Sequence, residues 1–155
     1  MAKAECTCKT NFNWKQIVIA IVAIVIVSQI VHMVGATATV GFYMDPGYTQ
    51  VWSNIMMPAA GPPPAMFYYY SILFTVITAL FFTMVYSMIG CCVPGKTLIN
   101  RGLTYGLLIF LVGGLPSMLT TYLIINIPAG LAAYWAVEIL AINLIGGMIV
   151  AKLIK

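Results

Sequence analysis

The sequence predicts an all-helical integral membrane protein with four transmembrane helices, and three observations carry that prediction. Hydrophobic residues make up 63% of the 155-residue chain and charged residues only 6%. Soluble domains run at about 45–50% and about 25%. Four long apolar runs follow one another along the chain. All seven Lys and Arg (Lys3, Lys9, Lys15, Lys96, Arg101, Lys152 and Lys155) fall between or beyond those runs. A water-soluble fold of this composition would expose apolar patches large enough to associate. The bilayer is the solvent that suits it.

The first run is Ile17 to Val34, with Ser28, Gln29 and His32 as its polar members. A spanning helix needs roughly 20 apolar residues at about 1.5 Å each. Trp14 and Lys15 precede it as interfacial anchors. A secretory signal has a shorter apolar region of about 7–15 residues. The first span is therefore placed at about 15–36.

A long outer loop follows, 36–65, rich in Pro, Gly, Tyr and Met. Within it Asp45 can cap a helix and Pro46 fits the first helical position. Tyr48, Val51, Trp52, Ile55 and Met56 recur at helical spacing, with polar residues on the other face. This predicts a short amphipathic interfacial helix that stops before Pro58. The second span, about 66–90, opens on the aromatic belt Tyr68-Tyr69-Tyr70. The loop 91–97 leads to the third span, about 98–125. There Pro116 removes a backbone donor and should kink or interrupt the helix near mid-membrane. The turn Asn126-Ile127-Pro128 leads to the fourth span, about 129–151.

With four spans, the N-terminus, the 91–97 loop and the C-terminus share one side. With Lys15 and Arg101 counted to the segments whose span ends they flank (the third span starting at about Leu98 or Gly102), these hold all seven basic residues, and the other two connections hold none. The positive-inside rule puts those seven in the cytoplasm, giving an N-in/C-in, multi-pass protein of the cytoplasmic (inner) membrane. The stretch Gly102 to Lys155 resembles small prokaryotic membrane proteins, a likeness that implies no activity.

Five polar residues inside the spans are candidates for chemistry: Glu138, His32, Gln29, Tyr134 and Asn143. Glu138 is the only acid within a span. A charged, unpaired carboxylate there costs several kcal/mol, so such residues mark ion or proton pathways or buried polar contacts. The bland alternative is a neutral carboxyl hydrogen-bonded to a neighbouring helix. His32 is the only histidine, so bis-His haem ligation within one chain is ruled out. Haem with a Met or second-subunit ligand, and copper, remain lesser alternatives to a simple helix contact. On the second span, Tyr68, Ser71, Thr75, Thr78 and Tyr86 form one stripe. It reads first as a packing face and second as a pore wall.

Gly102-x-x-x-Gly106, Gly113-Gly114 with Pro116, and Gly146-Gly147 are candidate helix-packing seams. Cys6, Cys8, Cys91 and Cys92 are expected as free thiols in a reducing cytoplasm. Their spacing does not favour a metal site, and lipidation is a minor alternative. No cofactor is expected beyond bound lipid.

No Walker loop, H-E-x-x-H motif or His pair is present, so catalysis by this chain alone is not expected. Nothing suggests nucleic acid. The leading expectation is an accessory or structural subunit that packs side-on against other integral membrane subunits in a hetero- or homo-oligomer. Its outer loop, with Tyr43, Tyr48, Trp52 and Met56, would dock partners. The alternative is a small oligomeric transporter or channel with Glu138 as its ion site. A weaker alternative is a quinone- or haem-associated redox subunit.

Overall fold

The computed structural model describes residues 13–58 and 61–154. Among these residues the chain is helical, with no strand. Four helical stretches are long and apolar enough to cross a membrane: Trp14–Ala38, Ala65–Cys92, Leu98–Ile124 and Ala129–Leu153. The elements are α1 (Trp14–Ala38), α2 (Val40–Tyr43), α3 (Ala65–Ile89), α4 (Leu98–Ile109), α5 (Leu115–Ile124) and α6 (Ala129–Leu153).

Local chemistry sets most of the boundaries. Asn13 caps α1 by accepting from the Gln16 N–H, and Thr97 caps α4 by accepting from the Asn100 N–H at 3.1 Å. Pro64 and Pro128 occupy the N-cap positions of α3 and α6 in extended conformation, where a missing N–H interrupts no helical bond.

Consecutive spans run antiparallel, and α6 is the hub. Its glycines let α4 approach until backbones touch. A Cβ on Gly102 would lie 2.6 Å from the Gly147 carbonyl oxygen, and one on Gly106 would lie 2.7 Å from the Asn143 carbonyl carbon. Small residues permit this approach, and van der Waals contact then holds the helices in a solvent as apolar as they are. The other face of α6 packs on α1, which also packs on α3, whereas α3 and α6 barely meet.

The third span is interrupted where Pro116 predicts. Phe110–Gly114 forms a π-helical turn in which the Leu115 N–H reaches back to the Phe110 carbonyl. A wider turn accommodates the missing Pro116 donor without ending the helix. Below the turn, α4 lies tight on α6; beyond it, α5 contacts α6 far less. Gly114 sits against Ile139 and Phe110, but a Cβ on Gly113 would meet nothing within 4 Å. Gly113 is therefore not a packing glycine, contrary to the sequence expectation.

The buried core lies toward the end that carries Lys15, Lys96, Arg101 and Lys152. Ala20 and Ile24 of α1, Ala79 and Tyr86 of α3, Tyr105 of α4, and Val150 and Ala151 of α6 form one cluster. The Tyr105 ring meets Phe82 and Tyr86 edge-on at 4.9 and 5.0 Å. Its hydroxyl donates to the Phe82 carbonyl at 2.6 Å. This cluster closes the bundle at the basic end.

The outer loop departs from the expected amphipathic α-helix. Asp45 does cap a helix, accepting from the Gly47 N–H at 2.8 Å with Pro46 in the first turn. That helix is a 3-10 segment, Pro46–Val51, and Trp52 is already extended. The departure has a visible cause. Trp52 turns to pack on Tyr43 at 5.0 Å and on Trp135 of α6 at 6.3 Å, so the helical register cannot continue. Ile55 is left exposed, and Tyr48 and Met56 are half-buried.

Cys91 and Cys92 correct a second expectation. Both are disulfide-bonded rather than free. Their sulfurs are 3.6 Å apart, beyond the roughly 2.05 Å of an S–S bond, so they are not bonded to each other. Cys6 and Cys8 lie outside the described residues. The prediction is direct: alkylation of the unreduced protein leaves the peptide carrying Cys91 and Cys92 unmodified, and reduction adds two labels to it. Mass spectrometry of that peptide reads both states.

Candidate functional site

Helix geometry brings His32 and Glu138 together. His32 lies on the C-terminal half of α1 and Glu138 on the N-terminal half of α6, and α1 and α6 are packed antiparallel. His32 Nδ1 stands 3.8 Å from a Glu138 carboxylate oxygen. That is an ion-pair distance and too long for a hydrogen bond. The Glu138 side chain is 11% exposed against 45% for His32, so the acid is the buried member.

Gly35 makes the seat. The Glu138 carboxyl rests where a Cβ on Gly35 would stand, and the Tyr134 ring lies beside it. The other carboxylate oxygen, Oε1, is buried there with no hydrogen-bond partner. Buried polar oxygens are nearly always satisfied, so this one calls for an explanation. The bland expectation, a carboxyl hydrogen-bonded to a neighbouring helix, is not what the described residues show.

A cavity of about 230 Å³ opens next to the pair, in the gap between α3 and α6 with α1 as its floor. Ser28 and His32 line it from α1, Thr75 and Thr78 from α3, and Asn143 and Gly146 from α6. Phe74 and Phe82 supply aromatic walls. Most of these residues lie near the middle of their helices, so the cleft sits about midway along the bundle. The Gln29 side chain donates to Thr75 Oγ1 at 3.2 Å and ties α1 to α3 at the cleft edge.

Of the candidate residues, His32, Glu138, Tyr134, Gln29 and Asn143 therefore all gather around one place. So do Thr75 and Thr78 of the α3 stripe, while Tyr86 belongs to the core and Tyr68 is exposed. Gly35 was not singled out from the sequence. The signal was there: it follows His32 by three residues and so shares its face. The outer loop is pinned above this region by the Trp135 indole N–H, which donates to the Tyr43 hydroxyl at 3.0 Å. Trp135→Phe is expected to cost about 1 kcal/mol, the worth of one such bond. Faster hydrogen exchange confined to 43–52 would register the loosened loop.

No group of three or more metal-ligating side chains occurs among the described residues. The fold and these residues define a multi-pass membrane protein class: four apolar helices around an intramembrane carboxyl–imidazole pair. No family model, curated protein or solved structure matches the chain, so the site itself must carry the functional reading.

Proposed function

We propose that the protein handles protons or cations within the membrane, with His32 and Glu138 as its site, and that it works as an oligomer or with a partner subunit. The observation that carries this reading is the buried, unpartnered Oε1 of Glu138, whose partner His32 lines a largely apolar cleft that holds a few polar groups. A carboxyl kept only for packing would have its oxygens met by donors; one kept for exchange must have capacity left over. The closed core favours further subunits, since among the described residues Tyr105, Tyr86 and Val150 fill the basic end. Proton uptake into proteoliposomes, followed with an entrapped pH dye, should be lost in Glu138→Gln. Equal rates in wild type and variant would sink the proposal.

The accessory-subunit reading also has an observation in its favour. The cleft opens sideways, and its few polar groups facing hydrocarbon favour cover by another helix. Gentle extraction followed by photo-cross-linking from position 78 tests it, and adducts with lipid alone would count against it. For orientation we propose N-in/C-in, on the basic residues Lys15, Lys96, Arg101 and Lys152 at one end of the described bundle. A reporter fused after Lys155 and active only outside the cytoplasm would reverse it.

A further inference from the structure

We infer that the cleft between α3 and α6 is a binding site for a small organic ammonium, a primary amine on an apolar body. The inference comes from counting which hydrogen-bonding groups remain unspent. The Thr75 hydroxyl donates its proton to the Ser71 carbonyl at 2.7 Å and accepts from the Gln29 amide at 3.2 Å, which leaves it one lone pair, and the Thr78 hydroxyl donates to the Phe74 carbonyl at 2.9 Å. The Asn143 amide donates from Nδ2 to the Ile139 carbonyl at 2.8 Å. A carbonyl can only accept, so this bond fixes the amide orientation and leaves Oδ1 without a protein donor. Three of the polar groups lining the cleft have thus turned their protons into their own helices. What they offer a ligand is lone pairs.

Ser28 adds a hydroxyl that can turn either way. His32 adds a ring that, when neutral, has one acceptor nitrogen. Behind it stands Glu138, the only acidic side chain at this depth among the described residues, with one oxygen unpartnered. A largely apolar wall whose few unspent polar groups are mostly acceptors, with a carboxylate behind it, selects a ligand that donates and is positive at one end. An anion would meet lone pairs and a like charge. A lipid tail would leave the acceptors unmet at a cost of some kcal/mol each.

The walls set the rest of the ligand. Phe74, Phe82, Ile24 and Ile142 face an apolar body, and the two aromatic rings favour a cation over their faces. At about 230 Å³ the cavity is smaller than the roughly 300–1,000 Å³ of drug-sized sites. One ring with a short amino arm, or a short alkylamine, is the size that fits. Its place about midway along the bundle excludes a lipid headgroup, which stays at the interface. The inference rests on the reading above only in taking Glu138 as the source of negative charge.

The test is isothermal titration of the full chain in nanodiscs, with empty nanodiscs subtracted. Four probes share one ring: phenethylammonium, its N,N,N-trimethyl analogue, 2-phenylethanol and phenylacetate. Phenethylammonium should bind saturably, the trimethyl analogue roughly tenfold more weakly for want of N–H donors, and phenylacetate not at all. The alcohol, a donor without charge, should fall below the primary ammonium. Asn143→Leu and Thr78→Val keep the shape and remove acceptors; each should weaken phenethylammonium by about fivefold. Their unfolding midpoints should stay at the wild-type value, which separates a lost contact from a lost fold. Equal binding of phenylacetate, absence of saturable ammonium binding, or undiminished binding in both variants would overturn the site. Ammonium binding without Glu138-dependent flux keeps the site and removes the transport reading. Glu138-dependent flux without ammonium binding does the reverse.

Discussion

Gly106→Leu is expected to destabilise the bundle more than any other single change in the spans, by about 3 kcal/mol or more. Overpacking a core usually costs about 1–3 kcal/mol, because neighbouring side chains shift to make room. At Gly106 the neighbours are backbone. A Cβ there would lie 2.7 Å from the Asn143 carbonyl carbon and 2.9 Å from the Leu144 Cα. Backbone inside a helix cannot rotate away, so α4 must move off α6 and give up the closest interface in the molecule. Gly113→Ala supplies the contrast. It lies one span half away, with open space where its Cβ would go. It should be neutral or stabilising by less than about 1 kcal/mol. Thermal unfolding in detergent micelles, followed by far-UV circular dichroism, measures both. Similar midpoints for the two variants would mean that the α4–α6 seam does not hold the fold.

Those two glycines also show what the sequence could and could not say. Gly102-x-x-x-Gly106 announced a close helix contact because the spacing alone puts both on one face. Gly113 and Gly114 looked equally suited, yet only Gly114 touches a neighbour. The difference comes from Pro116, which widens the preceding turn into a π segment and rotates the later residues. That a break would occur was legible; its effect on facing direction depends on tertiary context. The outer loop shows the same limit. Asp45-Pro46 signalled a helix start, and the start is there. Its end was set by Trp52 packing on Tyr43 and Trp135, a contact between residues far apart in sequence.

The candidate site was legible as residue types and not as a place. Glu138 and His32 stood out because ionisable groups are rare at membrane depth. Nothing in their spacing said that they meet, since they lie on the first and last spans. The antiparallel packing of α1 on α6 brings them to 3.8 Å. The cysteines show an expectation of another kind failing. Free thiols follow from a reducing compartment, but Cys91 and Cys92 are disulfide-bonded. That makes the orientation test with the C-terminal reporter more than a formality.

Gly35→Ala is expected to reproduce the functional loss of Glu138→Gln while leaving the fold intact. The added methyl would occupy the place of the Glu138 carboxyl. Unlike the backbone facing Gly106, that carboxyl is the end of a flexible side chain, and it can swing away at small cost. Stability should therefore change by less than about 1 kcal/mol. The His32–Glu138 pair, however, cannot form with the carboxyl displaced. Proton flux should fall by about 10²-fold in both variants, the lower end of what a positioned proton-transfer group contributes. A second readout separates loss of the pair from a general defect. His32 is the only histidine in the chain, so its imidazole nitrogen resonances are assigned without ambiguity. They should move in the same direction in Gly35→Ala and Glu138→Gln, because each removes the same neighbour from Nδ1. Unmoved imidazole signals in Gly35→Ala would show that the carboxyl is not seated on Gly35. Moved signals with full flux would show that the pair exists and that transport does not depend on it.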